Sequence, residues 1–168
     1  NRFKQKVMYK LFGLPMIEHV RRRVVDCGLI DNIIVASGDR EILETVENFG
    51  GKVKQTYKEH LNGTSRVAEA VEDINCTHVI VIQGDGPLIQ KEHLKKLTNA
   101  INLNPDIDSW NSISDLTSEK ELNNMNVVKA ALNEEGQIIY FFRKSPSYAE
   151  FFDPIKYIKK VQGLIAYK

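Results

Sequence analysis

The chain has 168 residues, 42% of them hydrophobic, which suits one globular domain with a sizeable core. Its 23 lysines and arginines against 22 acidic residues give no electrostatic pull toward nucleic acid or a membrane surface. No apolar run reaches the roughly eighteen residues of a membrane span, and the first ten residues lack the apolar core of a secretory signal. Cys27 and Cys76 are unclustered, which reads as two buried thiols in a reducing, cytoplasmic setting rather than a disulfide scaffold.

The first predicted helix runs from Pro15 to Cys27, with apolar residues at 16, 17, 20, 24 and 25, and Gly28 ends it. Asn32 to Ser37 reads as a short aliphatic strand. A helix follows Gly38-Asp39-Arg40, with Ile42, Val46 and Phe49 in period until Gly50-Gly51 stops it. Residues 52 to 56 alternate as a strand. After His60-Leu61-Asn62-Gly63, a helix spans Thr64 to Ile74 and leads into a strand at 78 to 83. A further helix over Lys91 to Asn102 carries Leu94, Leu97 and Ile101 as its inner stripe. Such alternation predicts an α/β domain with a parallel sheet. The second half changes character, with strands expected at 126–132, 137–142 and 159–167 and a turn at 133–136.

The stretch VIVIQGDGPLI at 79 to 89 is apolar until it meets Gln83, Gly84 and Asp85. A strand of that kind is covered on both faces, and ligands of parallel sheets sit beyond the carboxyl ends of such strands. Two readings of Asp85 stand side by side. One is a turn former beside Gly86 and Pro87. The other is a carboxylate for Mg²⁺, which nucleotide sites hold with one or two carboxylates plus phosphate oxygens. In HLNGTSR at 60 to 66, Gly63 permits an unusual backbone angle and Thr64 can cap the next helix. Alternatively, the amides of that turn bind a base or phosphate, with Arg66 pointing into the same cleft. The basic segment Arg2 to Lys6 is either a solvated face or a grip for a triphosphate. The four histidines show no metal spacing: His19 and His78 read as structural and His93 as exposed. No nucleophile–histidine arrangement can be argued.

Together these stretches resemble the cytidylyltransferases that activate acid sugars, above all those specific for 3-deoxy-manno-octulosonate. RFKQK at 2–6 resembles the basic end of the family's nucleotide loop, and FGLPMIEHV at 12–20 its G-x-P-M-I-x-H-V helix start. FGGKVKQT at 49–56, HLNGTSRVAEAV at 60–71 and VIVIQGDGPLI are similar to its second strand, its H-x-S-G-T-x-R segment and its V-Q-G-D-E-P strand end. VVKAALNEEGQIIYFFR at 127–143 is similar to V-K-V-V-x-D-x-x-G-x-A-x-Y-F-S-R.

The resemblance implies a Rossmann-like, three-layer nucleotide-diphospho-sugar transferase fold with a mostly parallel central sheet. It also implies CMP transfer from CTP to an acid sugar, with release of pyrophosphate. Arg2 and Lys6 then grip the triphosphate, and Gly63, Thr64 and Arg66 form the nucleotide turn with Gln83 beside it. Asp85 holds Mg²⁺, Lys6 and Asp85 carry the catalysis, and Arg143 with Tyr140 faces the sugar. Family members are commonly homodimers, and neither nucleic acid nor membrane is an expected partner.

Departures from the pattern are Gly86 for the acid of Q-G-D-E-P, Lys4-Gln5 for P-G, and Asn62 and Ser65 for a serine and an acid. Val161 and Ile165 replace a histidine and a tyrosine on the sugar side. These departures leave a second reading open, a catalytically weak nucleotide- or sugar-binding module of the same fold. The family's first strand and its second metal-binding aspartate are expected outside residues 1 to 168, which then form a single cytidylyltransferase domain lacking those parts.

Overall fold

A computed structural model describes residues 5–144 and 156–168. They divide into two compact units, Asn1–Trp110 with Leu164–Lys168, and Asn111–Gly163.

In the first unit a 3-10 turn, Lys6–Met8, precedes a short hairpin of β1 (Lys10–Leu11) and β2 (Leu14–Pro15). The hairpin's two-residue loop holds Phe12 and Gly13 at φ 49° and 82°, the primed-turn backbone that matches the twist of its flanking strands. Helix α1 (Met16–Cys27) follows, and Gly28 closes it in the left-handed conformation. Strand β3 (Ile34–Ser37), α2 (Arg40–Asn48), β4 (Lys52–Gln55), α3 (Gly63–Val71), β5 (Val79–Ile82) and α4 (Lys91–Leu103) complete the series.

Its core forms where two helical stripes meet. Ile17, Val20, Val24 and Cys27 recur on one face of α1, and Leu94, Leu97 and Ile101 on one face of α4. Trp110, Leu164 and Ala166 close the cluster, with Ile80 and Ile82 packed on it from β5. Each of the buried valines, leucines and isoleucines contributes about 1.5–3 kcal/mol by leaving water. Val81 points the other way and is also buried, so β5 is covered on both faces as its composition requires.

Two positions of α1 fall differently from their periodicity. Val25 is exposed, while Glu18 is fully buried and takes a place on the inner face of α1. Burial pushes the Glu18 carboxyl up. The hydrogen bonds and charges of Arg21 (2.7 Å) and Arg22 (2.8 Å) outweigh it and hold the group below the usual carboxylate range. Phe49 likewise stands outside its expected stripe, with the Arg22 guanidinium 5.3 Å from its ring centre.

The expectation of a mostly parallel sheet is corrected by the pairings. Among the described residues β3 and β4 run parallel, Ile34 opposite Lys52, and this is the crossover that α2 allows. β5 pairs antiparallel with the end of β9 (Ile158–Tyr167), Val79 opposite Tyr167, because β9 returns from a later excursion of the chain. The class is α/β, with mixed strand directions. Cys76 is exposed, not buried; only Cys27 lies in the core, and both are free thiols. No helix among the described residues is long and apolar enough to cross a membrane.

The second unit holds β6 (Ser109–Asp115) from Asn111 onward, α5 (Glu119–Asn123), β7 (Lys129–Leu132), β8 (Ile138–Phe142) and the start of β9. β7 lies between β8 and β9, antiparallel to both. Leu116, Leu122 and Ile158 form its small core, with Phe142 against them.

Helix α5 is only five residues long and is set by its ends. Ser118 accepts from the Glu121 N–H at 3.3 Å, and Glu121 reaches back to the Thr117 N–H at 2.8 Å. Lys160 on β9 pairs with Glu121 at 2.7 Å. The Lys160 bond first, then the Thr117 N–H and hydroxyl, lower the Glu121 pKa from 4.5 to about 2. A carboxyl depressed in this way stabilises the fold above pH 4.5, and that contribution is lost as pH falls through about 2. Thermal melts should therefore show the parent and Glu121→Gln converging between those limits. A constant gap down to pH 2 would remove Glu121 from the acid response.

Candidate active site

The site in the first unit is built at the end of β5. The Gly86 N–H donates to the Gln83 carbonyl at 3.2 Å, so the chain turns sharply and presents Asp85 with a quarter of its side chain exposed. The Lys6 ammonium pairs directly with the Asp85 carboxylate. A strand-end carboxylate and the lysine of the basic segment, 79 residues apart in sequence, therefore meet in space.

Gly84 makes that approach possible, for a reason other than ligand access. A Cβ at Gly84 would stand 2.6 Å from the Ile17 Cδ1 and 3.4 Å from a Val7 methyl. The bare backbone is filled by α1 and the Lys6 segment, not left open to a ligand.

The segment before Lys6 is fastened at a second point. Gln5 sits at φ 54°, a left-handed backbone that favours glycine. Its amide donates to Asp39 at 2.9 Å and to Glu41 at 3.3 Å. Asp39 in turn caps α2 by accepting the Glu41 N–H at 3.0 Å. Thus the residue beside Lys6 is bound to the residue beside Gly38.

Gly38 opens a cleft of about 600 Å³ lined by Thr56, Tyr57, His60, Leu61 and Arg66 among others. The Arg66 guanidinium donates to the buried Thr56 hydroxyl at 2.6 Å. A Cβ at Gly38 would lie 3.1 Å from that same guanidinium nitrogen, so this glycine leaves room for the arginine. The wall at 57–60 is held by Glu69, which accepts the Tyr57 N–H (2.7 Å), the Lys58 N–H (3.3 Å) and the His60 ring (2.6 Å). The Tyr57 bond above all lowers the Glu69 pKa; burial opposes it, and His60 and the Lys58 N–H add to it.

The predicted turn differs in detail. Gly63 has an ordinary backbone angle and opens α3. Asn62, not Thr64, is the cap, accepting the Ser65 N–H at 2.9 Å. Asparagine is among the best capping residues, so its position two places before Thr64 wins. Arg2 lies outside the described residues. His19 bonds the Leu11 carbonyl at 2.8 Å, a structural role, and His93 is exposed and completes the cap of α4.

In the second unit Arg143 is exposed at the end of β8, its Nη1 on the carbonyls of Met125 (3.0 Å) and Asn126 (3.4 Å). Tyr140 is 46% exposed and packs on Phe142, ring centres 5.4 Å apart.

Asp39, Glu69 and Thr56 belong to these constellations and were not singled out from sequence, nor was Lys129, whose ammonium donates to the Arg143 carbonyl. Lys129 had a readable signal, a single charge inside the apolar run VVKAAL. His60 and Glu69, nine residues apart across a loop and a helix, had none.

The family model for cytidylyltransferases matches residues 1–167. The chain belongs to the cytidylyltransferase family. Among this cytidylyltransferase's relatives, the 3-deoxy-manno-octulosonate cytidylyltransferase of Syntrophus aciditrophicus is 33% identical over 100% of the chain and 69% of its own length. The enzyme of that name from Fusobacterium nucleatum is 36% identical over 99% of the chain and 68% of its own. A solved CMP:2-keto-3-deoxy-manno-octonic acid synthetase, complexed with CTP, superposes with a TM-score of 0.90 at 26% identity, covering 100% of the chain and 69% of that structure. The chain thus spans about two thirds of the length of these relatives.

Proposed function

We propose that this cytidylyltransferase joins CMP from CTP to 3-deoxy-manno-octulosonate, releasing pyrophosphate, as part of lipopolysaccharide precursor synthesis in the cytoplasm. The observation that carries the reading is the meeting of Lys6 and Asp85 at the end of β5. The names of its relatives and of the CTP-bound neighbour supply the nucleotide and the sugar. Its finer architecture is that of the nucleotide-diphospho-sugar transferases.

The sugar's anomeric hydroxyl attacks the α-phosphorus, the bond to the β-phosphate oxygen breaks, and pyrophosphate leaves. Such chemistry asks the protein mainly for positioning and for positive charge around the phosphates. Lys6 supplies one such charge, and the cleft beside Arg66 takes the nucleoside. Mg²⁺ fits this donor set. Asp85 already meets a cation in the Lys6 ammonium, and one carboxylate is a usual protein contribution to Mg²⁺ in nucleotide sites. Among the described residues no three His, Cys, Asp or Glu gather, so phosphate oxygens and water would supply its remaining ligands. When bound, the ion would neutralise charge developing on the phosphates. Arg143 holds the sugar carboxylate, as a guanidinium does best.

Pyrophosphate release by the intact protein with CTP, Mg²⁺ and a panel of acid sugars is the direct test. Release is expected with CTP and 3-deoxy-manno-octulosonate, and not with ATP, GTP or UTP. Silence across the panel, with CTP still bound in calorimetry, would favour the weak binding module. Ile139 and Phe141, 64% and 51% exposed on one face of β8, support a homodimer built through that strand. A monomeric mass in light scattering would refute it.

A further inference from the structure

Lys129 opens β7, opposite Phe142 of β8 and Lys160 of β9, and its side chain is completely removed from solvent. A buried ammonium is costly unless every N–H is matched. Here all three are, by the carbonyls of Asn124 (2.8 Å), Val127 (3.0 Å) and Arg143. No carboxylate is among these partners. Burial first, and the nearby Arg143 charge second, lower the Lys129 pKa.

The acceptors form a pattern. Residues 124–127 make a turn closed by the Val127 N–H on the Asn124 carbonyl at 3.1 Å and braced by the Asn124 side chain on the Asn126 N–H at 2.9 Å. Lys129 takes the first and last carbonyls of that turn. Arg143 takes the two between, Met125 and Asn126. Four consecutive carbonyls are thus divided between two cations, and the lysine also grips the main chain of the arginine. The bonds to the turn use only Nη1 of Arg143, a guanidinium that carries five N–H donors in all.

We propose that Lys129 is a positioning residue for the acid-sugar site, fixing both the turn that supports the Arg143 guanidinium and the main chain from which it projects. This rests on the reading of Arg143 as the group that holds the sugar carboxylate. Lys129 touches no substrate itself. Its work is to keep an exposed, long side chain in one place, so that the entropy of ordering it is already spent before the sugar arrives.

The test is steady-state kinetics of the intact enzyme, varying CTP and 3-deoxy-manno-octulosonate separately. Lys129→Met keeps the length and removes the ammonium. It should raise the KM for the sugar at least tenfold and leave the KM for CTP within twofold. Arg143→Ala should do the same to a greater degree. Asn124→Ala loosens the same turn without touching a buried charge, so it serves if Lys129→Met does not fold; a sugar KM several-fold higher is expected. If Arg143→Ala raises the sugar KM while Lys129→Met or, in its place, Asn124→Ala does not, the inference about Lys129 is overturned and Arg143 keeps its role. If Arg143→Ala leaves the sugar KM unchanged, the reading of Arg143 falls and the inference with it. Equal rises in both KM values for Lys129→Met would also overturn it, since they mark a general loss of structure.

Discussion

Asp85→Asn lowers CMP transfer by about 10²- to 10³-fold, the loss expected when one preorganised charge-stabilising group is removed from a transferring phosphoryl centre. Asparagine has the same shape, so the turn closed by Gly86 on Gln83 and the packing of Gly84 on Ile17 remain. A melting temperature close to the parent's should accompany the loss. The substitution also removes the partner of Lys6. The ammonium then points at the phosphates without its counter-charge, so CTP affinity measured by calorimetry without Mg²⁺ should hold or rise. Retention of full transfer by Asp85→Asn would dismiss the carboxylate from both the metal and the catalytic role.

Arg66→Ala raises the KM for CTP by about 10- to 100-fold, the range set by hydrogen bonds to a charged group at about 1.5–3 kcal/mol. Arg66 stands in the cleft between Gly38 and Thr56, and its position is defined from both sides. A ligand meets a guanidinium that has little freedom left to lose. The KM for the sugar should stay unchanged. Removal also leaves the buried Thr56 hydroxyl without its partner, which costs some stability. The two roles separate in the data. A lower melting temperature with an unaltered CTP KM would make Arg66 a structural residue only.

Much of the architecture was legible because periodicity reports burial. The stripe of α4, that of α1 apart from Val25, and the unbroken VIVI of β5 fall where their patterns put them. Strand β6 was missed because SWNSISD mixes serine and asparagine into both faces and reads as loop. Helix α5 was missed because five residues hold no full stripe, although Ser118 and Glu121 already spell a capping box. The antiparallel partner of β5 could not be read, since pairing is decided by where distant segments return and not by either strand's own composition. At the site, the residue types that meet phosphate were visible one at a time. The bonds that orient them, Gln5 to Asp39 and Glu69 to the wall of the cleft, join residues through space at spacings that no local rule marks.

The contact between Ile17 and the backbone at Gly84 gives an ordinary core position a second duty. Helix α1 presses through one methyl group on the glycine that directly precedes Asp85. Drift at position 17 during evolution is therefore constrained from both sides, by the volume the core accepts and by the height at which Asp85 stands. A redesign that repacks α1 for thermostability moves the backbone that carries Asp85 unless it leaves that methyl where it is.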